Sequence, residues 1–335
     1  MTDREDRITL SHGAGGTAMA DLIDAIFLSA YGDTAAPRDD SFTLDSTGLL
    51  AFTTDSFVVD PIFFPGGDIG RLAIAGTVND LLTAAARPVV ISASFIIEEG
   101  FPISDLRTIA GSMRDTADEC GVRIVTGDTK VVPRGSADKL FITTSGIGEV
   151  LRPGVSGARA QPGDAIILTG SIGDHGAAVM LAREGLLESE AIESDVAPLT
   201  EIVLSLIERG CEVHAMRDPT RGGIGSALNE IARQSSVGIE IDESAVAIKP
   251  PVAAACEALG IDPFYMANEG KMLVVLAAAD AQRAVEIARR SRYGENAAII
   301  GEARALPAGQ LQVRTAIGTS RILAPPSGEL LPRIC

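Results

Sequence analysis

Two runs of alternating strand-like and helix-like segments, separated by a stretch that suits neither, constrain this chain more than any other feature of its sequence. The separator is LRPGVSGARAQPGD, residues 151–164, whose glycines, prolines and polar side chains favour turns over regular structure. Ahead of it, LLAFTTD (49–55), VVISASFII (89–97), VRIVTGDT (122–129) and KLFITTSGIGEV (139–150) read as strands, with helical segments at 69–86 and 104–120. A further helix is expected over 19–30. After the separator, strands are expected at 165–169, VGIEI, KMLVVLAAA and AAIIGEA. Helices are expected after GSIGDHG and DPTRGG, over 199–209, and up to residue 290. At 335 residues with 46% hydrophobic content, the chain exceeds one average domain, so an α/β (α+β) fold in two domains is expected. The expected limits are 1–40 for an N-terminal glycine-rich segment, 41–155 and 156–321 for the two domains, and 322–335 for a flexible tail. Three prolines in ILAPPSGELLPRIC oppose a regular element in that tail.

The formal charge of −17 sets up a field that repels nucleic acid and anionic lipid, which excludes both as general partners. A phosphorylated ligand therefore needs a divalent cation or a few well-placed Lys and Arg side chains. The acidic start, MTDREDR, lacks the apolar core of a signal peptide, and no apolar run approaches a membrane span, so a cytoplasmic protein is expected. The four cysteines, Cys120, Cys211, Cys256 and Cys335, form no CxxC pair and suggest neither a zinc knuckle nor a disulfide framework.

Several short runs carry residue types suited to phosphate chemistry. SHGAGG, with His12, Gly13, Gly15 and Gly16, is either a backbone cradle for an anion or an ordinary glycine turn. Asp55, Asp80 and Asp128 stand where strands are expected to end or a helix to pass a turn. Carboxylates gathered at one sheet edge are a common way to hold Mg²⁺ against phosphates, although Asp55 or Asp128 taken alone reads equally as a cap. Asp80 is harder to set aside, because AIAGTVNDLLTAAA is otherwise apolar and an unpaired carboxylate there is costly. Lys130 shares a strand face with Asp128 and supplies positive charge for a phosphate, or is a solvated edge lysine. Glu269 in NEGK is either an acid or base at a strand entrance or part of a simple turn. DPTRGG combines a helix start with Arg221, and His175 in GSIGDHG reads first as structural.

In this order, HGAGG, TTDS, GGDIGRLAIAGTVNDL, TGDTKVV, TGSIGDHG, DPTRGG, NEGK and PRIC resemble the carbamoyl dehydratase family of [NiFe]-hydrogenase maturation, within the aminoimidazole ribonucleotide synthetase superfamily. The resemblance extends over nearly the whole chain, and PRIC selects this family from its superfamily. It implies a homodimer whose N-terminal domains join their sheets, with ATP between the glycine-rich segment (His12, Gly13, Gly15, Gly16) and the acidic strand ends. Asp55, Asp80 and Asp128 would hold Mg²⁺, Lys130 would stabilise transferred phosphate, and Glu269 or Lys130 would move protons. Cys335 would receive a carboxamide from the carbamoyltransferase HypF, and ATP-dependent dehydration would turn the thiocarbamate into a thiocyanate. The cyano group would then pass to iron on the HypC–HypD complex. Other members of the superfamily, or a scaffold without activity, are the competing readings; selenophosphate synthetase would carry a cysteine near the glycine-rich loop, where this chain has none before Cys120. In the tail, the α-carboxylate of Cys335 is expected to raise the thiol pKa and Arg333 to lower it.

Overall fold

The structure, a computed structural model, describes residues 7–13, 17–31, 44–186, 192–325 and 331–335. After a helical run over residues 17–31, the first half holds β1 (Leu50–Phe57), α1 (Ile69–Thr83), β2 (Ala86–Glu98), α2 (Ile103–Cys120), β3 (Arg123–Val132) and β4 (Leu140–Val150). These four strands form a sheet in the order β1-β4-β2-β3, antiparallel except for the β2–β3 pair, and a separate short ribbon pairs Phe63–Phe64 with Gly67–Asp68. The α2 crossover between β2 and β3 is what a parallel pair requires.

The second half contributes β5 (Ala165–Leu168), α3 (Asp174–Arg183), α4 (Thr200–Glu208), β6 (Val213–Arg217), α5 (Gly223–Ser235), β7 (Gly238–Asp242), α6 (Pro250–Leu259), β8 (Leu273–Leu276), α7 (Ala281–Arg289), β9 (Ala298–Arg304), β10 (Leu311–Arg314) and β11 (Ser320–Ile322). They build a seven-stranded sheet in the order β11-β10-β7-β9-β5-β8-β6. β5 (AIIL) and β8 (LVVL) are buried at every position, which explains their unbroken apolar runs: helices cover both faces of the sheet there.

Helix α1 lies where the halves meet, and nearly every residue from Ile69 to Leu82 is buried. A helix apolar on all sides must be surrounded by protein. Asp68 starts it, accepting the N–H groups of Gly70 at 2.7 Å and Arg71 at 3.0 Å on one oxygen and the Ser112 hydroxyl on the other. Asn79, also buried, donates to the Ala197 carbonyl at 3.0 Å and accepts the Leu199 N–H at 2.9 Å, tying α1 to the segment that leads into α4.

Several observed elements differ from those expected. KMLVVLAAA is a strand only over Leu273–Leu276, and Ala278–Asp280 already turns towards α7. The short strand β6 and helix α6 are additional. Pro250 and Pro251 open α6, and proline is well suited to a first helical turn, whose N–H groups have no intrahelical partner. Ile322, expected in the tail, pairs in β11.

Replacing Asp68 with alanine removes the cap of α1 and leaves buried N–H groups unpaired. We expect a loss of about 2 kcal/mol, read from urea denaturation followed by circular dichroism; an unchanged midpoint would show that α1 needs no cap.

Candidate active site

The last residues of the chain lie between the two halves. Leu331 and Ile334 are buried, and the backbone from Pro332 to Cys335 is hydrogen-bonded along its length. Val58 N–H donates to the Cys335 carbonyl at 3.0 Å and Asp60 N–H to that of Arg333 at 3.2 Å. The Arg183 guanidinium donates to the carbonyls of Pro332 and Arg333, both at 2.7 Å, and to that of Asp60. Arg333, at a φ of 48°, turns its side chain back to the Val58 carbonyl at 3.0 Å and to Asp138. The expected flexible tail therefore has a docked end here, held by its own carbonyls while the Cys335 side chain makes none of these bonds. Arg333, expected beside the thiol, is engaged elsewhere.

Around Cys335 the folded chain gathers carboxyl groups from four segments: Asp55 of β1, Asp80 of α1, Asp218 after β6 and Glu269 before β8. The pKa values of all four are raised, first by loss of water; the charges of neighbouring carboxylates add to this at Asp55, Asp218 and Glu269, whereas the Thr53 hydroxyl and Arg217 oppose it at Asp80, and that of Asp218 reaches about 7. Glu269 is only 3% exposed and its Oε1 has no hydrogen-bond partner among the described residues. Asp80 accepts the Thr53 hydroxyl at 2.8 Å, which offsets part of the cost of a carboxylate on an apolar helix. Burial, reinforced by Glu269, pushes the Cys335 thiol up to about 12, with Arg221 opposing. A polar cavity of about 220 Å³ opens beside the cluster, lined by Asp80, Arg217, Asp218, Thr220, Arg221 and Glu230.

The three acidic residues expected to converge do not all meet within one chain. Asp55 lies within β1 and Asp128 within β3, not at strand ends, and β1 and β3 are opposite edges of the sheet, roughly 14 Å apart at the usual strand spacing. They also point to opposite faces. Asp55 shares a register row with Thr144 and Ala93, which α1 covers, whereas Asp128 shares one with Ser94, Thr143 and Ser56 on the open face. Motif reading misses this because it sees neither strand order nor pleat.

Asp128 and Lys130 do share that open face, as a period of two requires, and form an ion pair at 2.9 Å that holds the Asp128 carboxyl below the usual range. The first glycine-rich residues pack on this same strand: a side chain at Gly13 would lie 2.6 Å from the Val131 nitrogen, so only glycine permits the contact. His12 is turned into its own loop, where Nδ1 accepts the Thr9 N–H at 3.0 Å. Gly15 and Gly16 lie outside the described residues. The chain thus holds two groups of site residues: His12, Gly13, Asp128 and Lys130 at one edge, and Asp55, Asp80, Glu269 and Cys335 at the other.

The expected site residues do not include Asp218, Asn268 or Asp195, although DPTRGG and NEGK contain two of them. Asn268 accepts the Gly173 N–H at 2.7 Å and donates to the Pro219 carbonyl at 2.9 Å, joining GSIGDHG, DPTRGG and NEGK at one point. Asp195 accepts the Glu269 N–H at 3.1 Å and pairs with Lys271 at 3.0 Å. A side chain at Gly270 would lie 1.8 Å from the Asp195 carbonyl oxygen, which accounts for the glycine of NEGK. No sequence signal picks out Asp195; its role comes from folding.

Among the described residues no three acidic, His or Cys side chains enclose an ion by themselves. A cluster of hard oxygens with raised pKa values, in which Glu269 Oε1 has no hydrogen-bond partner among the described residues, nevertheless fits a divalent cation that is shared with phosphate oxygens, as Mg²⁺ commonly is.

The chain matches the family of AIR synthase related proteins in both of its domains, the N-terminal domain over residues 37–150 and the C-terminal domain over residues 161–314. The chain is 46% identical to the carbamoyl dehydratase HypE of Rhodobacter capsulatus, with 100% of each covered. The solved structure of a hydrogenase maturation protein HypE in complex with ATP superposes with a TM-score of 0.95 at 46% identity, covering 98% of this chain and 99% of that one. A chain of a HypE–HypF complex matches with a TM-score of 0.80 at 46% identity over 93% of this chain and 100% of that one. The chain belongs to the HypE family of carbamoyl dehydratases.

The Asp218 carboxyl, with a folded pKa near 7 against about 4 unfolded, binds more protons in the native state between those values, so its contribution to stability falls as pH rises through them. Asp218→Asn is expected to raise the melting temperature of the protein without Mg-ATP at neutral pH and to flatten its decline between about pH 4 and 7. Thermal melts across that range check this; a steeper decline in the variant would contradict it.

Proposed function

We infer that the chain is an ATP-dependent carbamoyl dehydratase of [NiFe]-hydrogenase maturation, acting on a carboxamide carried as a thiocarbamate on Cys335. The observation that carries this reading is the docking of Cys335 against Glu269, Asp55 and Asp218 in a cleft too acidic for an anionic substrate without a cation.

The chemistry follows from the poor leaving ability of an amide oxygen. The carboxamide oxygen attacks the γ-phosphorus of ATP, ADP leaves, and one N–H proton is lost to give an imidate phosphate. Loss of the second N–H proton expels phosphate and leaves S–C≡N, the oxygen departing with the phosphate. Glu269 is the proposed proton acceptor, since a carboxyl raised by burial and neighbouring acids is a stronger base at neutral pH than an ordinary one. Asp55 and Asp80, joined by Asp218, are the proposed ligands of Mg²⁺, which when bound supplies charge neutralisation at the phosphates. Asp128, Lys130, His12 and the glycine-rich segment are the proposed remainder of the nucleotide site.

That remainder sits at the far edge of the sheet, which favours a homodimer. β1 and β3 are open edges, and the uncovered face shows Leu50, Phe52 and Ile96, with Phe52 69% exposed. Two copies joined there would bring the β3 group of one towards the β1 group of the other. Loading belongs to the undocked tail: a thiol pushed up to about 12 is a poor nucleophile, whereas the residues beyond the β11 pairing and the Ala324 contact, 325–335, fully extended reach up to about 36–40 Å, far enough to meet a HypF-like carbamoyltransferase. Delivery to a HypC–HypD complex is the proposed last step.

Cys335→Ser is expected to bind Mg-ATP normally and form no cyano product with carbamoyltransferase, carbamoyl phosphate and ATP, as followed by intact-mass analysis. Cyano product in that variant, or an adduct on Cys120, Cys211 or Cys256, would overturn the assignment. Phe52→Asp places a charge on the proposed joining face and is expected to give a folded monomer by light scattering; a dimer of undiminished stability would place the interface elsewhere.

A further inference from the structure

His175 is wholly buried and uses both ring nitrogens. Nε2 lies 2.7 Å from the Ile334 carbonyl oxygen, which can only accept, so Nε2 carries the proton. Nδ1 must then accept, and the Ser194 hydroxyl 2.7 Å away donates to it, while Ser194 Oγ accepts the Val196 N–H at 3.1 Å. Burial lowers the imidazole pKa and keeps the ring in the neutral form this pattern requires. The Phe64 ring stands at 90° to the imidazole, 5.4 Å away, and braces its plane.

Ser194 is itself anchored to the first half of the chain through its N–H, which donates to the Pro65 carbonyl at 2.8 Å. Its neighbour Asp195 holds the Glu269 N–H and the Lys271 ammonium. A continuous path therefore runs from Ile334, adjacent to Cys335, through His175, Ser194 and Asp195 to Glu269. Arg183 also grips the tail, but its bonds to Pro332, Arg333, Asp60 and Met180 lie away from that path.

We propose that His175 is a positioning residue for the dehydration step: its bond to Ile334 sets the register of the docked tail, and its link through Ser194 and Asp195 fixes Glu269 against the group carried on Cys335. The proposal rests on the reading of Cys335 as carrier. Loading, which takes place with the tail undocked, does not use this contact. The path thus separates the two half-reactions.

The test uses the full chain with a HypF-type carbamoyltransferase, carbamoyl phosphate and ATP, following the carbamoyl adduct and the cyano product on Cys335 by intact mass in a single turnover. His175→Phe keeps a ring and removes both bonds, His175→Gln restores an N–H able to reach Ile334, and Ser194→Ala breaks only the second link. The expected result is loading at the wild-type rate in all three. Dehydration slows about 10- to 100-fold in His175→Phe, the scale of a misplacement near 1 Å, less in His175→Gln, and measurably in Ser194→Ala. Dehydration at the wild-type rate in the folded variants would overturn the proposal, as would equal losses of loading, Mg-ATP binding and dehydration with no rescue by glutamine. If His175→Phe does not fold, Ser194→Ala and His175→Gln decide on the same criteria. A wild-type protein that never carries an adduct on Cys335 would instead refute the carrier reading, and this inference with it.

Discussion

Helix α1 has almost no wetted surface, and the arrangement of both sheets answers to that fact. Its Leu, Ile, Ala and Val side chains must be covered on every side, so one half of the chain cannot bury it alone. Of the polar side chains it carries inward, Thr77 meets the Thr144 hydroxyl within the first half, whereas Asn79 and Asp80 are turned towards the second half. Asn79 satisfies two backbone groups of the segment entering α4, and Asp80 faces the cleft while accepting the Thr53 hydroxyl. The site is thus built on the rigid element least able to shift, which suits chemistry that depends on placement.

Excess acid is the second consequence. Four carboxyl groups in one cleft repel each other and lose water, and the folded state holds them only because packing elsewhere is strong enough. A cation bridging phosphates relieves that strain, so nucleotide and metal would bind to a cluster that is uncomfortable without them. Phosphate departure then removes part of the reason for the complex to persist.

The alternation of elements was legible because long buried strands and amphipathic helices write their period into the sequence, as α2 and β4 do. Short elements were not: β6 spans only Val213–Arg217 and α6 only Pro250–Leu259, too few residues to establish a period. At the site, Asp80 stood out because a carboxyl in an apolar helix demands a reason, whereas Glu269 read equally as part of a simple turn. Their grouping did not stand out. Whether Asp55 meets Asp128 depends on strand order and on which face the pleat turns, and both are long-range facts with no local signature. Asp195 shows the same limit from the other side, since only folding brings it beneath Glu269.

On the proposed reading of Cys335 as the carrier, the docked tail reconciles two opposite demands on one sulfur. To accept a carboxamide, the thiol must ionise, and that needs water or a cation near it. To be dehydrated, the carried group must be shielded from water, because an activated imidate phosphate would otherwise be hydrolysed back to the carboxamide. No single environment meets both. In the cleft, burial and Glu269 suppress ionisation of an unloaded Cys335, whereas a loaded sulfur carries no proton to lose and escapes that penalty. The acidic cleft therefore discriminates by charge: it tolerates the neutral thiol and thiocarbamate and resists the thiolate. Loading itself thereby removes the ionisable group that the cleft disfavours, so the direction of tail movement follows from the chemistry on Cys335 without any separate signal.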